Sequence, residues 1–100
     1  MNFIYRVKRF KFEKEFKLYL EKEFSNLSYK YFFISESDKV HINVEILSGL
    51  KIHLKIEIFI FKIGKKIASS DISENIFNSI NETKRKTDIQ LLKIKEKIKF

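Results

Sequence analysis

The chain has 100 residues, 44% hydrophobic and 15% aromatic, which suits one modest core rather than two. It has no cysteine, which excludes disulfides and thiolate metal sites, and no run of about 18 uncharged apolar residues of the kind that crosses a membrane. Its 21 basic and 13 acidic residues leave a net charge of +8, which favours a polyanionic partner, nucleic acid before anionic lipid or acidic protein.

Residues 3–8 alternate, with Phe3, Tyr5 and Val7 opposite Ile4, Arg6 and Lys8, and predict a first strand. From Phe12 the apolar step lengthens to three or four through Phe16, Leu20, Phe24 and Leu27, predicting a helix with Glu13, Lys14, Lys17, Glu21 and Lys22 off its apolar face. The stretches VHINVEIL and KIHLKIEI flank SGL and read as two antiparallel strands. If Leu47 pairs with Lys51, Val40 faces Ile58, Ile42 faces Ile56, Val44 faces Leu54 and Ile46 faces Ile52. The other side then pairs His41 with Glu57 and Glu45 with His53.

The strand is predicted to continue through FIFKI to a turn at Gly64, followed by a fourth strand in KKIASSD. Ser73 or Asn75 can cap a long second helix whose stripe is Ile76, Ile80, Thr83, Thr87, Leu91, Ile94 and Ile98. The order β-α-β-β-β-α over residues 1–100 predicts a single α+β domain, a four-stranded sheet with two helices packed on one face.

At about 100° per residue, the second helix carries Lys86, Lys93 and Lys97 along one flank of its stripe and Lys84 and Lys95 along the other, with Arg85 and Lys99 further round. Glu82, Asp88 and Glu96 interrupt the run, and lysines near a helix C-terminus are favoured by its dipole, so a solvated face is the plain reading. Arg6, Lys8, Arg9, Lys11, Lys17, Lys22, Lys65 and Lys66 add to it, and helices packed side by side would merge their basic flanks into a phosphate-tracking surface. Part of the lysine excess belongs to a composition rich in Lys, Ile, Asn and Phe without proline, the bias of an AT-rich genome.

His41 and His53 stand opposite glutamates and read as cross-strand polar pairs rather than as ligands or bases. No Ser-His-Asp, HExxH, DxDxDG or GxxxxGK[ST] pattern occurs, so no catalysis, metal or cofactor is expected. Phe59 and Phe61 point away from Ile58 and Ile60, as a partner patch or as local packing.

Two segments carry a family resemblance. The first is LYLEKEFSNLSYKYF (18–32), through Leu20, Glu21, Lys22, Phe24 and Leu27. The second runs without a gap from Gly64 to Lys99, through NIFNSIN (75–81) and IQLLKIKEKIK (89–99), where Gln90, Leu91, Lys93, Lys95 and Lys97 match outright. On these residues the chain resembles the ribosome hibernation-promoting factors, also called ribosome-associated inhibitor or light-repressed proteins. It departs from their pattern at Asn75 and Asn81, where the family has acids, at Ile89, where it has a basic residue, and at Glu23, where lysine is common.

The resemblance implies a β-α-β-β-β-α fold similar to a double-stranded-RNA-binding domain, and a cytoplasmic, monomeric, non-enzymatic factor of the short form, without the added dimerisation domain. It implies binding to the small ribosomal subunit and its rRNA in the decoding channel, competition with mRNA and tRNA, and translation inhibition in stationary phase or stress. The expected rRNA contacts are Lys86, Gln90, Lys93, Lys95 and Lys97, supported by Lys17, Lys22, Arg85 and Lys99. The alternatives are a general structured-RNA-binding domain, or a protein-interaction module using Phe59 and Phe61.

Overall fold

Alternating apolar and polar residues set down four strands in the computed structural model, which describes residues 1–98: β1 (Asn2–Lys8), β2 (Lys39–Ile46), β3 (Ile52–Ile60) and β4 (Lys65–Ser73). The helices are α1 (Lys14–Phe24), the single turn α2 (Leu27–Lys30) and α3 (Ile76–Lys97). The sheet order is β1-β2-β3-β4, with β1 parallel to β2 and the other pairs antiparallel. The parallel step follows from connectivity, because the chain crosses over through α1 and α2 before returning as β2.

The β2–β3 register is the one the alternation predicts, with Val40 on Ile58, Ile42 on Ile56, Val44 on Leu54 and Ile46 on Ile52. A one-residue slip would turn this whole apolar set to the other face, which is why the pattern pins it. The Leu47 N–H donates to the Lys51 carbonyl at 2.7 Å, closing the SGL connection.

Two segments depart from the periodic reading. The apolar spacing predicts one helix from Phe12 to Leu27, yet the chain enters α1 only at Lys14 and breaks at Ser25–Asn26 before α2. Phe12 and Leu27 are still buried, so helical spacing persists across a bend because both ends face one core. Strand β3 ends at Ile60 rather than running to Gly64. Phe61–Ile63 form a short 3-10 turn, and Gly64 follows at φ 60°, a left-handed backbone that favours glycine.

The core is the helix-facing side of the sheet, Val40, Ile42, Val44, Leu54, Ile56, Ile58 and Ile67, closed by Leu20 and Phe24 of α1 and Ile76, Ile80 and Leu91 of α3. Both helices pack on this face. Tyr5 of β1 donates its hydroxyl to Glu21 of α1 at 2.6 Å, and Phe16 and Tyr19 set their rings edge-on to Phe77 of α3. The Asn75 side chain accepts from the Phe77 and Asn78 N–H groups and starts α3.

Thr83 and Thr87, polar residues inside an apolar stripe, are buried without penalty. Their hydroxyls donate to the Ser79 and Thr83 carbonyls one turn back, at 2.6 and 2.8 Å. Thr87 Oγ1 also lies 3.1 Å from Ser69 Oγ on β4, and since its proton is already given to Thr83, it accepts there.

Two phenols resist ionisation. Burial first, then the Glu21 bond and charge, hold Tyr5 well above the usual tyrosine range. Burial, then the charge and hydrogen bond of Asp88, push Tyr31 up to about 12. A raised folded-state pKa contributes stability that is intact below the unfolded value of 10.0 and drains as pH climbs through the folded one. An alkaline absorbance titration should therefore show Tyr5 and Tyr31 ionising later in the native protein than in urea, with stability falling above pH 10.0. Superimposed native and unfolded titrations would contradict those contacts.

Candidate nucleic-acid interface

Helix α3 runs antiparallel to β4 on the open edge of the sheet, and its stripe of Ile76, Ile80, Thr83, Thr87 and Leu91 fixes where each lysine points. The first residues on the β4 flank are occupied within the fold. Lys86 Nζ donates to the Ser70 carbonyl at 2.7 Å and lies 3.8 Å from the Asp71 carboxylate. Gln90 Nε2 donates to the Ala68 carbonyl at 2.7 Å and to Ser69 Oγ at 2.9 Å. Ser70 and Ala68 sit on an edge strand whose outward carbonyls have no neighbouring strand, so these two side chains cap the edge.

One and two turns on, Lys93 and Lys97 continue the same flank, exposed and without a hydrogen bond or ion pair among the described residues. Since a helical turn rises about 5.4 Å and a strand residue about 3.3 Å, each turn of α3 passes roughly two residues of β4. From the Lys86–Ser70 and Gln90–Ala68 contacts, that step brings Lys93 and Lys97 level with Lys65, Lys66 and the Gly64 turn. Lys95, on the other flank, is also exposed and unpaired among the described residues. The lysines of this last turn sit where the helix dipole favours positive charge.

The remaining expected cations are scattered. Lys84 is mostly covered and binds Asp88 at 2.8 Å, a carboxylate that also takes Lys30 at 3.6 Å and the Tyr31 hydroxyl at 3.2 Å. Arg85 is paired with Glu82, which keeps that carboxyl below its usual range. Lys17 lies over the Tyr5 ring, 5.0 Å from its centre, on the β1 side of α1, and Lys22 is exposed in its last turn. Lys99 lies outside the described residues.

The helices therefore do not merge basic flanks. The α1–α3 seam is aromatic, Phe16, Tyr19 and Phe77, with the Tyr19 hydroxyl 2.5 Å from Asn81 Oδ1, because α1 turns Lys17 toward β1 and not toward α3. What the fold assembles is a basic end, at which Lys93, Lys95 and Lys97 are the free cations of α3. Periodicity could place Lys86 and Gln90 on a flank, yet only the strand beside them shows that their polar atoms are taken.

Elsewhere, His41 stands opposite Glu57 and His53 opposite Glu45, as the register requires. Glu57 is held below the usual carboxylate range chiefly by Lys66, with Lys55 at 3.5 Å, so its ionic partners are lysines rather than histidine. Among the described residues no three His, Asp or Glu side chains gather where they could hold a metal ion, and no helix is long and apolar enough to cross a membrane.

Comparison with known families adds a decisive observation. Residues 3–99 match the pattern of the family described as sigma 54 modulation protein / S30EA ribosomal protein. The chain belongs to that family. Two solved structures share the fold of this family member. A ribosomal subunit interface protein from Coxiella burnetii is similar at a TM-score of 0.75 and 17% identity, over 96% of this chain and 99% of that one. The N-terminal domain of Thermus thermophilus Protein Y is similar at 0.76 and 14% identity, over 94% and 99%. Comparison with curated proteins finds no match.

Proposed function

We propose that this protein is a ribosome hibernation factor, a single cytoplasmic domain that binds the small ribosomal subunit as a monomer. It occupies the decoding channel, excludes mRNA and tRNA, and so inhibits translation in stationary phase or stress. The reading is non-enzymatic and needs no cofactor. Its support is family membership together with one observation: Lys93, Lys95 and Lys97 stand exposed and unpaired among the described residues in the last turns of α3. A folded domain that brings its own cations to rRNA supplies the neutralisation and volume that competitors otherwise provide, without chemistry. Lys22 and Lys99 are assigned supporting contacts. Lys86, Gln90, Lys17 and Arg85 would first have to exchange the partners described above, so their contacts are placed second.

If about six phosphates are neutralised, the logarithm of small-subunit affinity should fall with the logarithm of salt at a slope of roughly −4 to −5, with about 0.7 counterions released per contact. Binding measured across a salt series tests this, and a flat response would remove the electrostatic basis. A general structured-RNA-binding domain is the second reading, and equal affinity for naked duplex RNA and for the subunit would favour it.

A further inference from the structure

The sheet has a second face that neither helix covers. Arg6 and Lys8 of β1, Lys39, His41, Asn43 and Glu45 of β2, His53, Lys55, Glu57 and Phe59 of β3 and Lys66 of β4 all alternate toward it. Five cations stand there against two carboxylates. At one end of the face, between Lys39 and Lys66, the Phe59 side chain is 49% exposed and has no ring partner among the described residues. An aromatic ring on a central strand gains nothing from that exposure in the isolated fold.

The surface is concave on both sides of this ring. One hollow of about 440 Å³ is lined by Arg6, His41, Asn43, Glu57, Phe59 and Lys66. A second, of about 610 Å³, shares His41 and Phe59 and adds Lys39, Phe61 and Lys62. Glu57 engages Lys55 and Lys66, whereas Arg6 and Lys39, one in each hollow, have no ion pair among the described residues. The face thus offers a ring with Lys39 across from it and His41 on the diagonal, and further along the same face the polar Asn43 with the free cation of Arg6 beside it.

We propose that this helix-free face is a second binding surface that takes a single-stranded polynucleotide, one base stacked on Phe59 and the backbone drawn to Arg6 and Lys39. Stacking on an aromatic side chain with phosphates tracked by lysine and arginine is the general chemistry of single-strand binding. Charge decides the occupant. A second copy of the chain would set like charges against each other, and a duplex keeps its base faces stacked away from the ring. The surface adjoins the basic end of α3 at Lys66 but does not rest on the role of the α3 lysines.

The test is fluorescence anisotropy of labelled octa-uridylate, octa-thymidylate and a duplex of equal length, at one fixed low salt concentration. Either single strand should bind more tightly than the duplex, and the preferred one identifies the sugar. Phe59→Leu keeps apolar bulk without a π-face and should weaken binding at least about tenfold, while Phe59→Tyr retains it. Circular dichroism checks that both variants fold. A Lys14→Gln variant, changed at an exposed position at the start of α1 on the helix-covered side, should stay within about threefold of the parent, since its change lies off this face. No binding of either strand, tighter duplex binding, or a Phe59→Leu variant equal to the parent would overturn the proposal, as would concentration-dependent dimerisation abolished by Phe59→Leu.

Discussion

Replacing Lys93 and Lys97 together with glutamate is expected to weaken small-subunit binding by roughly 100-fold, taking about 1.4 kcal/mol for each lost phosphate contact. The salt slope should become shallower by about 1.4, two contacts at 0.7 each. Stability should move by no more than about 0.5 kcal/mol, because both side chains are exposed and bond to nothing among the described residues. That separation of binding from folding makes the pair informative. Changing Lys86 or Gln90 would not be clean, because each also caps the edge of β4. Equal affinity of the double variant and the parent, read by titration against purified small subunits, would remove this end of α3 from the interface.

Leu20→Ala should cost about 3 kcal/mol, within the range of roughly 2 to 5 for emptying a leucine site in a packed core. Leu20 has no exposed surface and lies where α1 meets the apolar face of the sheet, so its removal leaves a cavity that helix and strands cannot both close. Against the 5 to 15 kcal/mol typical of whole domains, such a loss shows plainly in urea unfolding. Leu18→Ala is the internal control. That side chain, two residues away and 59% exposed, should give a change within about 0.5 kcal/mol. Similar losses at both positions would contradict the orientation of α1, and with it the outward placement of Lys22.

The elements legible from the sequence are those that periodicity alone controls. The β2–β3 register follows from the alternation of Val40 to Ile46 against Ile52 to Ile58, and the α3 stripe from Ile76 to Ile94, because each pattern has one way to bury itself. The helix break after Phe24 was hidden since Leu27 keeps the helical interval while the backbone bends, and the end of β3 at Ile60 because Phe61 extends the apolar run into a turn.

The site was legible in type and only partly in position. The spacing of Lys86, Gln90, Lys93 and Lys97 sets them on one flank, yet their division into edge caps and free cations depends on the length of β4 beside them. Likewise the turn of Lys17 toward Tyr5 depends on where α1 sits over β1, a tertiary matter no local pattern records.

The central claim is occupation of the small subunit at the place of mRNA and tRNA, and the most direct measurement is co-sedimentation of the purified protein with separated small and large subunits at two salt concentrations, with mRNA and tRNA as competitors. The account predicts stoichiometric pelleting with the small subunit alone, weakened by salt and displaced by both competitors. Failure to pellet with the small subunit at low salt, or pelleting that neither competitor reduces, would contradict it.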